Sequence, residues 1–339
     1  MSVHGYSTLC IIALVGLALG GPMAAALRAD DPPKPIKVGM IGLDTSHVIA
    51  FTKTLNRDNA GTDLAGIHVV AAYPGGSPDV ESSRTRVEGY TKEMREMGVE
   101  IVDSIEALLP KVDVVMLESV DGRPHLKQAE PVLRAGKPMF IDKPVAGTLA
   151  DAIEIFRLAE EYKCPVFSSS SLRFSPGIIG MRNDDRVGDV LGCMVYSPCS
   201  LEPHHPDLFW YGVHGVEILY TIMGTGCREV SRVHTDDCDV ATGVWNDGRV
   251  ATFRGIRAGK TEYGATVFGT NGVVPSGKYA GYEPLLVEVA KFYRTLQPPV
   301  SAAETIEMFA IMEAADESKR QGGCPVTIES VMAKAKAGK

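Results

Sequence analysis

The stretch Ile36-Lys-Val-Gly-Met-Ile-Gly-Leu-Asp-Thr-Ser-His47 reads as an apolar strand that feeds a helix through a glycine turn. Doubly wound α/β folds hold dinucleotides on such a turn, with the spacing G-x-G-x-x-G. Counted from Gly42, the second and third glycines of that spacing fall on Asp44 and His47. The second glycine normally lets the backbone approach the pyrophosphate, and the third lets the helix pack against the strand. A carboxylate at position 44 instead puts negative charge where phosphates would lie. The stretch therefore predicts a nucleotide-binding fold whose site is rebuilt, with Gly42, Asp44, Ser46 and His47 facing a different ligand and standard NAD(P) binding lost. A plainer use of Asp44 or Ser46 is to cap the helix, with His47 packing inside.

Outward from this turn, apolar runs at 38–41, 68–72, 112–117, 138–141 and 166–167 alternate with segments of helical spacing at 84–97, 104–109, 125–135 and 149–162. That alternation predicts a Rossmann-like, doubly wound parallel sheet. Beyond Arg173 the texture changes to short strands at 192–196, 230–234, 239–245, 249–256 and 265–274, with an Asn246-Asp-Gly248 hairpin turn. Helices are expected at 211–223, 283–296 and 302–321. The expected organisation is a leader at 1–29, a Rossmann-like domain at 30–172, and an α+β domain with a mostly antiparallel sheet at 173–339.

With 339 residues, 45% of them hydrophobic, the chain can bury two ordinary cores. A net charge of -8 with scattered Lys and Arg offers no field for nucleic acid. The apolar stretch 9–20 is too short to span a bilayer and suits a signal-peptide core, with a cleavage site in Ala24-Ala25-Ala26. The leading segment has no Lys or Arg, so the charge signature of a leader is weak. Export, to the periplasm, is the expectation. Seven cysteines include no C-x-x-C pair, and buried free thiols are expected rather than a disulfide framework.

Three further segments carry a resemblance: Glu118-Ser-Val-Asp-Gly-Arg-Pro-His125, then Ala135-Gly-Lys-Pro-Met-Phe-Ile-Asp-Lys-Pro144, then Gly212-Val-His214 in a helix opening the second domain. Together with the domain order they resemble the glucose-fructose oxidoreductase/inositol dehydrogenase (Gfo/Idh/MocA) family. The resemblance implies a catalytic Lys143, since Asp142-Lys-Pro144 stands where the family carries Glu-Lys-Pro, and an active-site His214. It implies a sugar, polyol or related small molecule as substrate, and pairing of the second domain's open sheet in a homo-oligomer. The chain departs from the family where Trp210 replaces the aspartate four residues before the histidine. It departs again where Tyr73-Pro-Gly-Gly-Ser-Pro78 replaces the ribose-binding acid after the second strand.

Glu118 ends an apolar strand and needs a partner, because an unpaired buried carboxylate is costly. Arg123 and Arg173 are the plain candidates, and Lys143 or a cation the sharper ones. The segment His204-His-Pro-Asp-Leu-Phe-Trp-Tyr-Gly-Val-His-Gly-Val-Glu217 concentrates imidazoles and carboxylates. His205, Asp207 and His214 could supply the three ligands of a catalytic zinc, although no H-E-x-x-H-like spacing supports them. Arg173 is a candidate anchor for substrate and Trp210 a candidate platform for a sugar ring; a place in the core is the plainer fate of the aromatics at 209–211. His125 is expected to fix its helix start. No serine nucleophile is expected from Ser168-Ser-Ser-Ser171, which lacks a G-x-S-x-G elbow. The readings left open are a metal-assisted oxidoreductase, an NAD(P)-dependent sugar dehydrogenase that holds its cofactor tightly, and a non-catalytic carbohydrate-binding protein.

Overall fold

Six short runs rich in Val, Ile, Met and Phe build the first sheet of the computed structural model, which describes residues 1–2 and 35–338. The expected leader beyond residue 2, with its apolar stretch, cleavage site and Cys10, lies outside the described residues. No helix among those described is long and apolar enough to cross a membrane.

The first half runs β1 (Ile36–Ile41), α1 (Ser46–Leu55), α2 (Gly61–Leu64), β2 (Ile67–Tyr73), α3 (Glu81–Arg84), α4 (Val87–Glu96), β3 (Glu100–Ile101), α5 (Ile105–Leu108), β4 (Val114–Leu117), α6 (His125–Arg134), β5 (Met139–Ile141), α7 (Leu149–Glu161) and β6 (Val166–Ser168). All sheet neighbours are parallel, in the order β3-β2-β1-β4-β5-β6. Helices cover both faces, so β4 and β5 are buried along their whole length rather than alternating.

The second half runs α8 (Pro176–Ile179), β7 (Val190–Pro198), a π-helical turn (Leu208–Gly212) continuing into α9 (Val213–Met223), β8 (Cys227–His234), β9 (Cys238–Trp245), β10 (Val250–Ile256), β11 (Gly264–Gly269), β12 (Val273–Pro275), α10 (Glu283–Thr295), α11 (Ala302–Arg320), β13 (Val326–Thr327) and α12 (Ile328–Ala337). Its sheet, β12-β11-β7-β10-β9-β8-β13, is antiparallel except where β7 meets β10. Strand β9 alternates strictly between the core and the outer face, as a half-covered sheet requires.

Several expectations are revised. The helix expected at 84–97 forms as α4 over 87–96, preceded by the separate turn of α3, whose Ser83 bonds to Asp44 and to the Ser77 amide. The strand expected at 265–274 folds into the β11–β12 hairpin. Edge strands β3 and β13 have two residues each, too few to show a period. Helix α10 lies beyond residue 173 yet packs on the first sheet: Leu285, Leu286, Val289 and Phe292 join the cluster of Val38, Met40 and Phe140. That apolar face, at helical spacing, ties the chain's last third to its first, and residues 35–339 form one compact unit.

Free thiols are the state of all six described cysteines. Burial pushes the thiols of Cys193, Cys199 and Cys227 up to about 12. Thiolate is the reactive form, so a thiol reagent applied to the native protein should titrate only exposed Cys324 and half-buried Cys238 among these six. Rapid labelling of buried Cys193, Cys199 and Cys227 would show a looser second domain.

Candidate active site

Residues Ile41, Leu117 and Ile141 are mutual partners across β1, β4 and β5. One step further the ladder continues, since Glu118 donates its N–H to the Ile41 carbonyl at 2.7 Å and Asp142 donates to that of Leu117 at 2.8 Å. Glu118 and Asp142 thus leave adjacent strands side by side at the carboxyl edge, where ligands of doubly wound sheets gather. His47, in the first turn of α1, closes the group with Nδ1 at 2.6 Å from Asp142 Oδ2. Lys143 follows directly. All four are buried.

Burial drives the Glu118 carboxyl well above its ordinary range, with the charges of Asp142 and Asp44 adding and Lys143 opposing. Asp142 is also penalised by burial, yet His47 and Lys143 hold its carboxyl below the usual range. The arginines expected to neutralise Glu118 are elsewhere. Arg123 forks onto Asp79, at 2.9 Å through two bonds, and onto Asp121. Arg173 is bound by Glu217 and Glu304. Arg173, expected as a substrate anchor, has its guanidinium taken up by these carboxylates and clamps the segment after β6 to α9 and α11.

His214 projects from α9 into the same region and shares a cavity of about 360 Å3 with Ser46, His47, Lys143, Trp210 and Tyr211. Its Nδ1 meets Ser170 Oγ at 2.8 Å. Burial, with the positive charges of Lys143 and His47 adding, lowers its pKa well below the ordinary value. His125, buried and spanning the carbonyls of Ser119 and Val145 at the start of α6, is lowered by burial too. The His214 ring, the more strongly lowered of the two, stays neutral in the folded state near pH 6.5, where the unfolded chain takes up its proton. Folding stability should therefore fall as pH drops below about 6.5, because the unfolded state binds more protons there. Urea unfolding at pH 7.5 and pH 5.5 measures this, and no loss at the lower pH would contradict the neutral assignment.

The zinc set expected from the sequence does not assemble. His205 places Nε2 at 3.0 Å from Asp121 and 3.3 Å from the Gly122 amide. Asp207 pairs with Arg232 at 2.9 Å and Lys319 at 2.6 Å, in a charge cluster of the second domain. His214 stays with Lys143. His205 packs on the Trp210 ring, with centroids 4.9 Å apart, but the three candidate ligands are held by these separate partners. Asp142 and Asp121 were not singled out in the sequence, since each reads as a polar residue just past a strand; the signal for Asp142 was its position one step beyond an apolar run, matching that of Glu118.

Helix α1 is capped by Thr45, whose Oγ1 accepts from the His47 amide. Neither Asp44 nor Ser46 has that task. Asp44 is fully buried and accepts from Ser83 Oγ at 2.6 Å and from the Val120 amide at 2.9 Å. The amides of Gly42 and Leu43 donate to the Tyr73 and Pro74 carbonyls. Ser77 Oγ donates to Asp121 Oδ2 at 2.6 Å. Gly42 has φ +87°, and a Cβ there would lie 2.3 Å from Ser119 Oγ, so the turn and the β4 loop touch backbone to backbone. These bonds tie the segment after β2 across the ends of β1 and β4. The turn so arranged puts a buried carboxylate, and the two amides of Gly42 and Leu43 already bonded to the segment after β2, where a diphosphate would need donors, a poor fit for that group.

Residues 36–170 match the family described as "Oxidoreductase family, NAD-binding Rossmann fold", GFO_IDH_MocA. The match to this Gfo/Idh/MocA family falls on the chain's first domain, residues 36–170. Over 108 residues it is 32% identical to a 1,5-anhydro-D-fructose reductase of Ensifer adhaerens, a span of 30% of this chain and 32% of that protein. The chain thus matches about a third of the length of this curated relative. The scyllo-inositol dehydrogenase of Lactobacillus casei, solved with NAD(H) and scyllo-inositol, superposes with a TM-score of 0.70 at 14% identity, covering 87% of this chain and 100% of that one. An oxidoreductase from Agrobacterium radiobacter, solved with NAD+, L-tartaric acid and magnesium, gives 0.68 at 16% identity, covering 88% and 100%. At these identities the structural likeness establishes the fold.

A larger groove of about 810 Å3 between α7, α11 and α12 contains none of the sequence's candidate residues. The chemistry gathers in the smaller cavity.

Proposed function

We propose that the protein acts on a sugar, polyol or related small molecule at a carbinol or carbonyl carbon, as an oxidoreductase of the Gfo/Idh/MocA kind, with Lys143 and His214 moving the proton. The observation that carries this reading is the meeting of Lys143 and His214 in one cavity with His47. Its volume of about 360 Å3 falls at the small end of the roughly 300–1,000 Å3 usual for small-molecule sites, a fit for a single sugar ring. Trp210 and Tyr211 offer the flat apolar surface on which such a ring rests, and Ser46, Tyr282 and Arg86 offer hydrogen bonds to hydroxyls.

Oxidation of a carbinol takes a proton from its oxygen, and reduction of a carbonyl returns it. A neutral imidazole can accept that proton and a lysine ammonium can supply it, each from within hydrogen-bond reach of a bound oxygen. The family and the relatives solved with NAD support an oxidoreductase. The geometry of Asp44, Ser83 and Ser77 supports the second half of the reading, that no dinucleotide lies across the end of β1. The hydride released from the carbinol carbon then passes to a carbonyl carbon of the same substrate, an exchange that needs no added oxidant, or to an added acceptor of the dye class.

The test is a panel of aldoses, ketoses and polyols followed by NMR in three arms: no addition, NAD(P)+ and a dye acceptor. Product formed without dinucleotide is the expected result. Turnover that depends strictly on NAD(P) would overturn the second half of the reading, and failure of every sugar and polyol to bind would overturn the first.

We also propose a homo-oligomer. Met194, Tyr196, Val250 and Phe268 are exposed on the outer face of the second sheet, a contiguous apolar patch of the kind that pairs with a second copy. Light scattering should give at least twice the chain mass.

A further inference from the structure

We propose that His47, Glu118 and Asp142 form a site for one divalent cation of the zinc or manganese class, beside the cavity that Lys143 and His214 line. One ligand atom from each of the three lies within 4.8 Å of the others. The three side chains come from the carboxyl ends of β4 and β5 and from the first turn of α1. They are independent of the set His205, Asp207 and His214, which the fold separates.

What points to a ligand is an imbalance at the centre of this group. Glu118 is fully buried, and neither of its carboxylate oxygens has a hydrogen-bond partner; Asp142 Oδ1, in a side chain equally withdrawn from solvent, has none either. Buried polar groups are otherwise nearly always satisfied. Two carboxylates set side by side on neighbouring strands repel each other, and Lys143 brings a single positive charge. A proton shared between Glu118 and Asp142 would satisfy one oxygen of each and leave the second Glu118 oxygen unmet. A divalent cation balances both carboxylates in charge and can take oxygen from each.

The donor set, two carboxylates with one imidazole, belongs to borderline and moderately hard divalent ions rather than to soft, thiolate-seeking ones. Three protein ligands leave a coordination position for water or for a substrate oxygen. Binding of the ion stands on these three side chains alone. A role for it in polarising a sugar hydroxyl or carbonyl rests on the proposed reading of the cavity.

The test uses the full chain without sugar, so its outcome is separate from that of the substrate panel. After chelator dialysis, reloading with Zn2+ or Mn2+ and desalting, elemental analysis should find about one ion per chain. Co2+ should give a visible d–d spectrum. Glu118→Gln and Asp142→Asn should each weaken binding at least 100-fold and abolish that spectrum, while His68→Gln, on an exposed position of β2, leaves both unchanged. Anomalous diffraction from the loaded wild-type protein locates the ion even where a variant fails to fold. The proposal is overturned if folded wild-type protein retains no metal, or if the ion lies elsewhere and survives both substitutions. A protonated-carboxyl infrared band that Glu118→Gln removes, in metal-free protein that refuses reloading, would assign the site to a shared proton instead.

Discussion

Lys143→Met is expected to leave a folded protein whose turnover of its sugar or polyol falls about 100- to 10,000-fold, the range that one positioned proton-transfer group supplies. The lysine is held where that loss is largest. It is buried in the cavity wall, next to His214 and directly after Asp142, at the carboxyl edge of the first sheet. Methionine retains the aliphatic stem and its packing but neither holds nor delivers a proton at neutral pH. The loss should appear in kcat, with substrate binding changed much less, because the group acts on the reacting oxygen rather than on the rest of the ring. Lys143→Arg should fail almost as fully, since a guanidinium keeps the charge yet does not give up its proton. Steady-state kinetics with circular dichroism and melting curves measure both effects. Activity within threefold of wild type in Lys143→Met would remove Lys143 from the chemistry.

The largest effect on stability is expected at Arg173. Its guanidinium binds Glu217 of α9 through Nε and Glu304 of α11 at 2.7 Å through Nη2. Glu217 also accepts from Ser169 Oγ at 3.1 Å and from the Ser170 amide at 3.2 Å. Arg173→Met removes the cation and leaves two carboxylates facing each other with little water to screen them. Breaking one side of a buried ion pair costs about 3–5 kcal/mol. In a folded unit of about 300 residues that corresponds to a fall in Tm of roughly 5–8 °C. Because Ser170 Oγ also meets His214 Nδ1, loosening this link should shift His214 and raise KM as well. A Tm within about 2 °C of wild type would show that the charges find other partners.

Much of the fold was legible because its signals are local and repeated. The runs at 38–41, 112–117 and 138–141 each became a buried parallel strand, and the turn residues at 246–248 gave the β9–β10 hairpin. Helix α10 was legible as a helix but not as a lid on the first sheet, because its apolar stripe of Leu285, Val289 and Phe292 fits any core. Lys143 and His214 could be singled out by resemblance, and the cavity brings them together. Asp142 was overlooked because a single carboxylate beside a lysine reads as an ion pair; its relation to Glu118 exists only in the register of β4 against β5. The concentration of histidines at 204–214 misled for the opposite reason. Nearness in sequence suggested one site, whereas His205 turned to Asp121 and Asp207 to Arg232, each drawn by a partner far along the chain. Asp44 stood out in the sequence as a carboxylate in a phosphate turn, yet its hold on Ser83 and Val120 is a long-range arrangement that no local pattern displays.

The β1–α1 turn is expected not to hold a diphosphate, and direct titration tests that. Trp210 lines the cavity, and its fluorescence would be quenched by a reduced nicotinamide bound there. Titrating the purified protein with NADH and with NADPH, alongside native mass measurement for cofactor carried through purification, should give no saturable quenching up to millimolar concentration and a mass equal to that of the chain with or without metal. Saturable one-to-one binding in the micromolar range, or a mass increment of one NAD(P), would contradict it.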